Sequence, residues 1–228
     1  PLSMIRLDGA TTLPLTMSQL CRRIDTVTVQ EYADCGKYPA PHIVSIMGFG
    51  RTPEQIAAEG AANLELMCTF FRQSVAALGA DLGLPVDEVR ETREFVLAGR
   101  AYDIAAGPIA AGTVAGQRWR WSGLVDGRER VVQETYWFTA FDLGPGYPKR
   151  GELADDTLWR VTLEGEPSLR CTVEPRVSFA DASARGDNPS ALATAMAAVN
   201  ALPAVCAARS GLLGAADLKV RAMPHRLR

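Results

Sequence analysis

The chain has 228 residues, of which 47% are hydrophobic and 22% are charged, a composition typical of a soluble globular protein with one large domain or two small ones. Its formal net charge of −2 offers no electrostatic basis for general binding to nucleic acids or membrane surfaces. It has no run of ~20 uninterrupted apolar residues, as a membrane span requires, and its first residues lack the pattern of a signal peptide.

The first predicted elements are a short helix over residues 12–23 and a strand over residues 24–34. β-Branched residues alternate along the strand and divide it into two faces, one with Val27, Val29 and Glu31 and the other with Thr28, Gln30 and Tyr32. A loop rich in Gly, Pro and aromatic residues follows over residues 35–50.

The clearest helical pattern runs from about residue 53 to 82. Thr52 and Gln55 have the spacing of a capping box, and Pro53 occupies the first helical position. Apolar and small residues recur at steps of three and four and form one stripe, which comprises Ile56, Gly60, Leu64, Met67, Phe71, Val75, Leu78 and Leu82. Gly83 then ends the helix.

The strongest short-range signal in the second half is Asp126-Gly127, which lies between two segments rich in β-branched and aromatic residues. A type I′ turn needs positive φ at both central residues, and Asp-Gly favours it. The two-residue turn predicts a register that pairs Val125 with Arg128, Trp121 with Val132 and Trp119 with Glu134.

Other strands are predicted over residues 88–98 and on both sides of a hairpin turn at Gly165-Glu166-Pro167, and a last helix at about 190–200. The order is therefore helix, strand, long helix, several antiparallel strands and helix. This order predicts an α+β domain with a mixed, largely antiparallel sheet and helices packed on one face.

The chain carries none of the usual motifs of a self-contained active site. It has no G-x-S-x-G elbow, no Walker loop and no glycine fingerprint between a strand and a helix. Its two histidines, His42 and His225, give no basis for a His-based metal site. The five cysteines are widely spread without C-x-x-C spacing, which favours reduced thiols and a cytoplasmic location.

The chain also contains five distinctive segments: LPLTMSQLCRRIDTVTVQEYADCGKY, IMGFGRTPE, AAGPIAAGTVAGQRWRWSGLVDGRERVVQE, WRVTLEGEPSLRC and ATAMAAVNALPAVCAARSGLLGAADL. In this order they resemble the C-terminal domain of dihydrodipicolinate-reductase-like dehydrogenases, a group that includes 2,4-diaminopentanoate dehydrogenase and the native amine dehydrogenases. The resemblance covers nearly the whole chain. It implies that residues 1–228 form a substrate-binding and oligomerisation domain, which in that family follows a Rossmann domain.

The resemblance further implies an oxidoreductase that acts on a C=O or C=N bond of an amine, amino acid or ketone substrate. The cofactor of the full-length enzyme would be NAD or NADP. The Rossmann domain of the family is absent from this chain, so we expect the chain alone to bind no cofactor and to be inactive. The alternative is a stand-alone, non-catalytic binding or assembly domain of the same fold.

The segment 197–218 is almost purely small and apolar, just before a basic tail. Taken alone, it predicts a core helix over 191–208. The resemblance implies instead that the end of the segment packs beside the Rossmann domain, with Asn200 and Pro203 at the junction. Pro203 would end or kink the helix, and an apolar patch would surround Leu202, Val205 and Leu212.

Six residues at or beyond the end of the first strand are candidates for substrate binding: Tyr32, Cys35, Tyr38, His42, Met47 and Phe49. Loops after strand ends commonly line ligand sites. An aromatic, weakly polar lining suits a ketone or an amine with an apolar body. The alternative is that these side chains only attach a Pro-rich loop to the core.

Two further features have two interpretations each. The turn from Gly48 to Arg51 could hold a carboxylate or phosphate at a helix start, or form a tight turn with a surface arginine. A buried Glu134 could donate a proton, or it could pair with Arg118 or Arg120 on a solvated face. The aromatic residues in RWRW and VVQETYWF predict a homo-oligomer joined through the sheet, because one layer of helices cannot fully cover the faces that carry them.

Overall fold

A computed structural model describes residues 12–58, 62–153, 155–181, 183–186, 188–211 and 213. The helices in these ranges are α1 (Thr12–Ser18), α2 (Pro41–Ile46), α3 (Pro53–Ala58), α4 (Ala62–Asp81) and α5 (Pro189–Ala207). The strands are β1 (Arg23–Asp34), β2 (Glu88–Leu97), β3 (Tyr102–Ile104), β4 (Gly107–Ile109), β5 (Val114–Val125), β6 (Arg128–Phe138), β7 (Thr157–Glu166) and β8 (Leu169–Val173).

Six of these strands form one sheet in the order β2-β5-β6-β1-β7-β8, and β3 pairs with β4 separately. β1 and β6 are parallel neighbours, whereas the other described pairs are antiparallel. The predicted α+β class with a mixed, largely antiparallel sheet is confirmed. Helix α4 covers one face of the sheet over β2, β5 and β6.

The core lies between α4 and this covered face. Phe71 of α4 stacks on Trp121 of β5, with 4.0 Å between the ring centroids. Val75 and Leu78 follow on the same side of the helix and are fully buried. Each such side chain contributes about 1.5–3 kcal/mol through burial, which fixes α4 on the sheet.

Both ends of the predicted helix 53–82 have the expected local structure. The N–H of Thr52 donates to Oε1 of Gln55 at 2.8 Å, and the N–H of Gln55 donates to Oγ1 of Thr52 at 3.3 Å, which confirms the capping box. Gly83 ends the helix with φ +71°, beside a bond from the N–H of Leu84 to the carbonyl of Gly79. The structure describes two helices, α3 and α4; residues 59–61 and the side chains of 62–67 lie outside the description.

The hairpin between β5 and β6 has the predicted turn but a different register. Asp126 and Gly127 have φ of 51° and 71°, and Val125 pairs with Arg128. A bulge that leaves Arg130 unpaired shifts the following residues by one position. The predicted pairs are therefore wrong beyond the turn, since Trp121 faces Gln133, Trp119 faces Thr135 and Glu134 faces Arg120.

Other element bounds also differ from the prediction. The first helix ends at Ser18, and the predicted loop contains α2, which begins at Pro41 because proline suits the first helical position. The last helix continues to Ala207, and Pro203 lies inside it without ending it. Pro203 has no N–H group, so the main-chain carbonyl of Val199 lacks its hydrogen-bond donor within the helix. Val199 is exposed, so water can donate a hydrogen bond to this carbonyl instead.

Helix α5 is mostly exposed: Ser190 is its one buried residue in the described chain, and several others, such as Ala193 and Thr194, are half-buried. Leu192, Val199, Leu202 and Val205 are 43–56% exposed, which excludes the core-helix interpretation for the chain as described, and Leu212 of the predicted apolar patch lies outside the described residues. By length and composition α5 is also the one described helix apolar enough to cross a membrane, with a mean hydropathy of 1.6. A helix that is covered by another protein surface can have the same length and hydropathy.

Candidate active site

Glu31 of β1 lies at the centre of the candidate site and is 3% exposed. The indole N–H of Trp137 donates to its Oε1 at 2.8 Å, and that of Trp159 donates to its Oε2 at 3.1 Å. Burial raises the pKa of Glu31, and the two indole hydrogen bonds offset part of that effect. The carboxyl group therefore takes up a proton at a higher pH than a surface glutamate does.

The strand register brings these three side chains together. Trp159 of β7 lies directly opposite Glu31, and Trp137 of β6 lies opposite Ala33, two residues further along β1. Side chains at such positions point to the same face of a sheet. The carboxyl group of Glu31 is therefore held by one indole from each neighbouring strand.

A cavity of about 40 Å³ opens beside Glu31. Tyr38 forms one wall, and Ser190, Ala191 and Thr194 of α5 form another. This volume holds about two or three water molecules, or a group of similar size such as an ammonium ion. The cavity is therefore suited to a small polar group rather than to the carbon body of a substrate.

Tyr38 lines this cavity, and its phenol stays neutral. Burial raises the pKa of its phenol, and the neighbouring Cys35 and Glu31 raise it further. Among the described residues no hydrogen-bond partner occupies that hydroxyl group. Tyr38 can therefore donate a hydrogen bond to a molecule in the cavity while Glu31 accepts one.

Asp156 closes the site where β7 begins. It is 1% exposed, and its Oδ1 accepts a hydrogen bond from the hydroxyl of Ser190 at 2.9 Å, while its Oδ2 accepts one from the side-chain amide of Asn188. Asn188 in turn caps α5, since its Oδ1 accepts from the N–H of Ala191 at 2.8 Å. The start of α5 is thus bonded to the sheet beside Glu31.

A family model of the 2,4-diaminopentanoate dehydrogenase C-terminal domain matches residues 10–226. The chain belongs to this family. The chain is also similar to an amine dehydrogenase of Streptomyces virginiae, at 28% identity over 96% of the chain and 59% of that relative. Its fold is similar to that of an amine dehydrogenase from Mycobacterium smegmatis, with a TM-score of 0.68 at 22% identity over 95% of this chain and 57% of the other. The domain thus spans less than two thirds of either relative.

The six predicted substrate-binding residues do not lie together in the fold. Tyr38 lines the cavity beside Glu31. Tyr32 lies on the opposite face of the sheet, where its ring stacks on Tyr136 at 4.8 Å between centroids. The substrate-binding role of both residues stays a prediction.

The other four candidates have different surroundings. Cys35, Met47 and Phe49 are buried in the main core, and burial raises the pKa of the Cys35 thiol well above its usual range. His42 is exposed on α2. The N–H groups of Gly48, Phe49 and Gly50 are bonded within the chain, as the tight-turn interpretation of this segment requires.

Glu134 lies on the open face of the sheet, opposite the face that carries Glu31. Its Oε1 accepts hydrogen bonds from Arg118 and Arg120, both at 2.7 Å, and its Oε2 accepts one from Gln30 at 2.8 Å. Burial disfavours the charged form, but these donors outweigh it and lower the pKa of Glu134. The predicted pairing with Arg118 and Arg120 is confirmed, but Glu134 is 3% exposed, so the expected solvated surroundings are wrong. The lowered pKa contradicts the proton-donor interpretation.

Several residues at the centre of the site were not predicted from the sequence, namely Glu31, Trp137, Asp156, Trp159, Asn188 and Ser190. One signal was available, because Glu31 alternates with Val27 and Val29 on an apolar face. A buried acid in such a pattern needs a partner or a function. Over the described ranges, no group of three His, Cys, Asp or Glu side chains gathers as metal ligands.

Proposed function

We propose that this chain is the substrate-binding and oligomerisation part of an NAD(P)-dependent oxidoreductase that acts on the carbon–nitrogen bond of an amine or amino acid, or on the corresponding carbonyl compound. Membership in the 2,4-diaminopentanoate dehydrogenase family supports an oxidoreductase role. The observation that carries the proposal is the Glu31 carboxyl group, clamped by two indoles beside a cavity of about 40 Å³.

In this proposal Glu31 and Tyr38 act on the nitrogen atom of the substrate. An amine arrives as an ammonium ion, and it must lose a proton before its lone pair can assist oxidation of the adjacent carbon. The carboxylate of Glu31 accepts that proton, and the Tyr38 hydroxyl donates a hydrogen bond to the neutral nitrogen. The raised pKa of Glu31 brings its proton affinity closer to that of an amine.

The described residues do not fit a dinucleotide. In the described sheet, β1 and β6 are the sole parallel pair, and no glycine turn joins either strand directly to a long helix. NAD or NADP therefore belongs, in this proposal, to a further part of a longer protein. The share of the Streptomyces relative outside the match leaves room for such a domain.

Helix α5 is the proposed contact surface for that further domain. Its exposed side chains Leu202 and Val205 form an apolar surface, and Asn200 and Pro203 lie in the same stretch of helix. A second protein surface that covers this stretch would bury these side chains favourably. The free state of all five cysteines supports a cytoplasmic location for the whole protein.

The test uses the protein as its gene encodes it, including any sequence that precedes residue 1. We expect Glu31→Gln to lower kcat/KM for amine-dependent reduction of NAD or NADP on the order of a hundredfold. Glu91→Gln is a matched control, because Glu91 also accepts an indole N–H, from Trp121 at 3.0 Å, but outside the cavity. Equal activity of the two variants would contradict the proposal.

A further inference from the structure

Asp156 joins three elements that meet at the cavity. Its main-chain carbonyl accepts a hydrogen bond from the N–H of Asp34, at the end of β1, at 2.7 Å. Its side chain accepts hydrogen bonds from Asn188 and Ser190, at the start of α5. Asp156 itself immediately precedes β7, which carries Trp159. A single buried residue therefore connects both strands beside the cavity with the helix that forms its wall.

Beyond these bonds, Ser190 is the one buried residue of α5 in the described chain, and Ala193, Thr194 and Met196 are half-buried further along the helix. The hydrogen bonds to Asp156 fix the start of α5, which forms the cavity wall, against the sheet beside Glu31. Both oxygens of the carboxylate are used, so an uncharged side chain at this position cannot accept both bonds equally well.

We propose that Asp156 is a positioning residue that sets the distance between the α5 wall of the cavity and the Glu31 carboxyl group. The proposal rests on the proposed function of Glu31. When the bonds to Asn188 and Ser190 are lost, the wall moves away from Glu31 and Trp159. A bound substrate then loses its contacts with the α5 wall in the ground state and the transition state alike, which weakens binding more than it slows the chemical step.

The first test is structural and uses the chain without substrate. The chain has four tryptophans, so a ¹⁵N-labelled sample gives four indole N–H signals in an NMR spectrum. We expect Asp156→Asn to shift the Trp159 signal, because Trp159 lines the cavity beside α5. The Trp119 signal should stay in place, since that indole donates to Gln117 in the core, and this unchanged signal reports an intact fold.

Two further variants make this test specific. Asp155→Asn is the matched control, because Asp155 is the preceding residue but pairs with Lys37 at 3.4 Å, and we expect no shift of Trp159. Ser190→Ala removes one of the two bonds to Asp156 and should shift Trp159 in the same direction by a smaller amount. If Asp156→Asn does not fold, the Ser190→Ala result decides. An unmoved Trp159 signal in a folded variant overturns the proposal.

The second test separates this inference from the proposed function. In the protein as its gene encodes it, Asp156→Asn should raise KM for the amine on the order of tenfold to a hundredfold and change kcat much less. If kcat falls instead and KM is unchanged, the positioning role is overturned. If Glu31→Gln leaves activity intact while Asp156→Asn still shifts Trp159, the function proposed for Glu31 fails, and the structural link through Asp156 stands.

Discussion

Glu31 and Tyr32 are consecutive residues of β1 whose side chains lie on opposite faces of the sheet. Glu31 contacts Trp137 and Trp159 on the covered face, whereas Tyr32 stacks on Tyr136 on the open face. The domain thus has two separate polar environments, one on each side of a single strand.

The first prediction concerns the pH dependence of stability. Because burial raises the pKa of Glu31 in the folded chain above its ordinary value of 4.5, the unfolded chain ionises first as the pH rises. Wild type should therefore lose stability relative to Glu31→Gln above pH 4.5, by about 1.4 kcal/mol per pH unit until the folded pKa is reached. Urea unfolding of both proteins across this range measures the difference, and a constant difference contradicts the prediction.

The open face should respond to pH in the opposite direction. Arg118, Gln30 and Arg120 lower the pKa of Glu134 in the folded chain, so its stabilising effect should be present above pH 4.5 and lost as the pH falls. We expect Glu134→Gln to cost about 1–3 kcal/mol at neutral pH. Glu94→Gln is the control, since Glu94 is an exposed partner of Arg118 and should contribute about 0.5 kcal/mol or less. If the two substitutions lower the free energy of unfolding by the same amount, burial of Glu134 does not strengthen its ion pairs.

A third prediction concerns the close approach of α4 to the sheet. A Cβ atom added at Gly123 would lie 2.6 Å from Cγ1 of Val75, which is fully buried on α4. Gly123→Ala should therefore lower the free energy of unfolding by about 1–3 kcal/mol. At Gly99 the added Cβ would have no neighbour within 4 Å, so thermal unfolding of Gly99→Ala should match wild type closely. A Gly123→Ala melting temperature equal to that of wild type would count against this packing.

The fourth prediction is a homo-oligomer joined through the open face of the sheet. Trp119 and Trp121 lie on the covered face, so they do not form the interface that the sequence predicts. Part of the open face is covered by the segment that contains Tyr147, but Thr28 and Gln30 are half-buried polar residues on the same face. We expect light scattering at low concentration to detect an oligomer that Thr28→Arg dissociates. Gln73→Arg, on the exposed side of α4, should leave the oligomer intact, and a monomeric wild type rules the interface out.

The fifth prediction concerns the exposed stretch of α5. Asn200→Ala should lower turnover in the protein as its gene encodes it, because a polar group at a domain junction orients the two surfaces. The same substitution should barely change the stability of this chain alone, since Asn200 is exposed here. The chain alone should also bind no NADH or NADPH in a calorimetric titration. Unchanged turnover of the Asn200→Ala variant would show that the junction lies elsewhere. Micromolar affinity of the chain alone for NADH or NADPH would contradict the cofactor prediction.

Features that depend on neighbouring residues were predictable from the sequence. The capping box of Thr52 and Gln55 and the turn at Asp126-Gly127 both formed as expected. In each case the residues that interact lie within a few positions of one another, so backbone preference alone determines the geometry.

Features that depend on long-range pairing were not predictable in this way. The unpaired Arg130 has no local signature, yet it decides whether Glu134 faces an aromatic ring or Arg120. Trp137 and Trp159 reach Glu31 only because β6 and β7 flank β1 in the sheet. The contact of these tryptophans with Glu31 depends on the order of strands in the sheet. The alternation of apolar and polar residues along β1 indicates that Glu31 is buried, but it does not identify the residues that bond to it.

Helix α5 is bonded to the sheet at its start and exposed at its C-terminal end. Its 19 residues give it a length of about 28 Å, and the hydrogen bond from Ser190 to Asp156 holds its first turn to the sheet. A rotation of about 10° around that end moves Ala207 by about 5 Å but Ser190 by a small fraction of that distance. A protein surface that contacts the C-terminal end of α5 would therefore also affect the cavity wall. A displacement of several ångströms at Ala207 would correspond to a much smaller displacement of the residues beside Glu31.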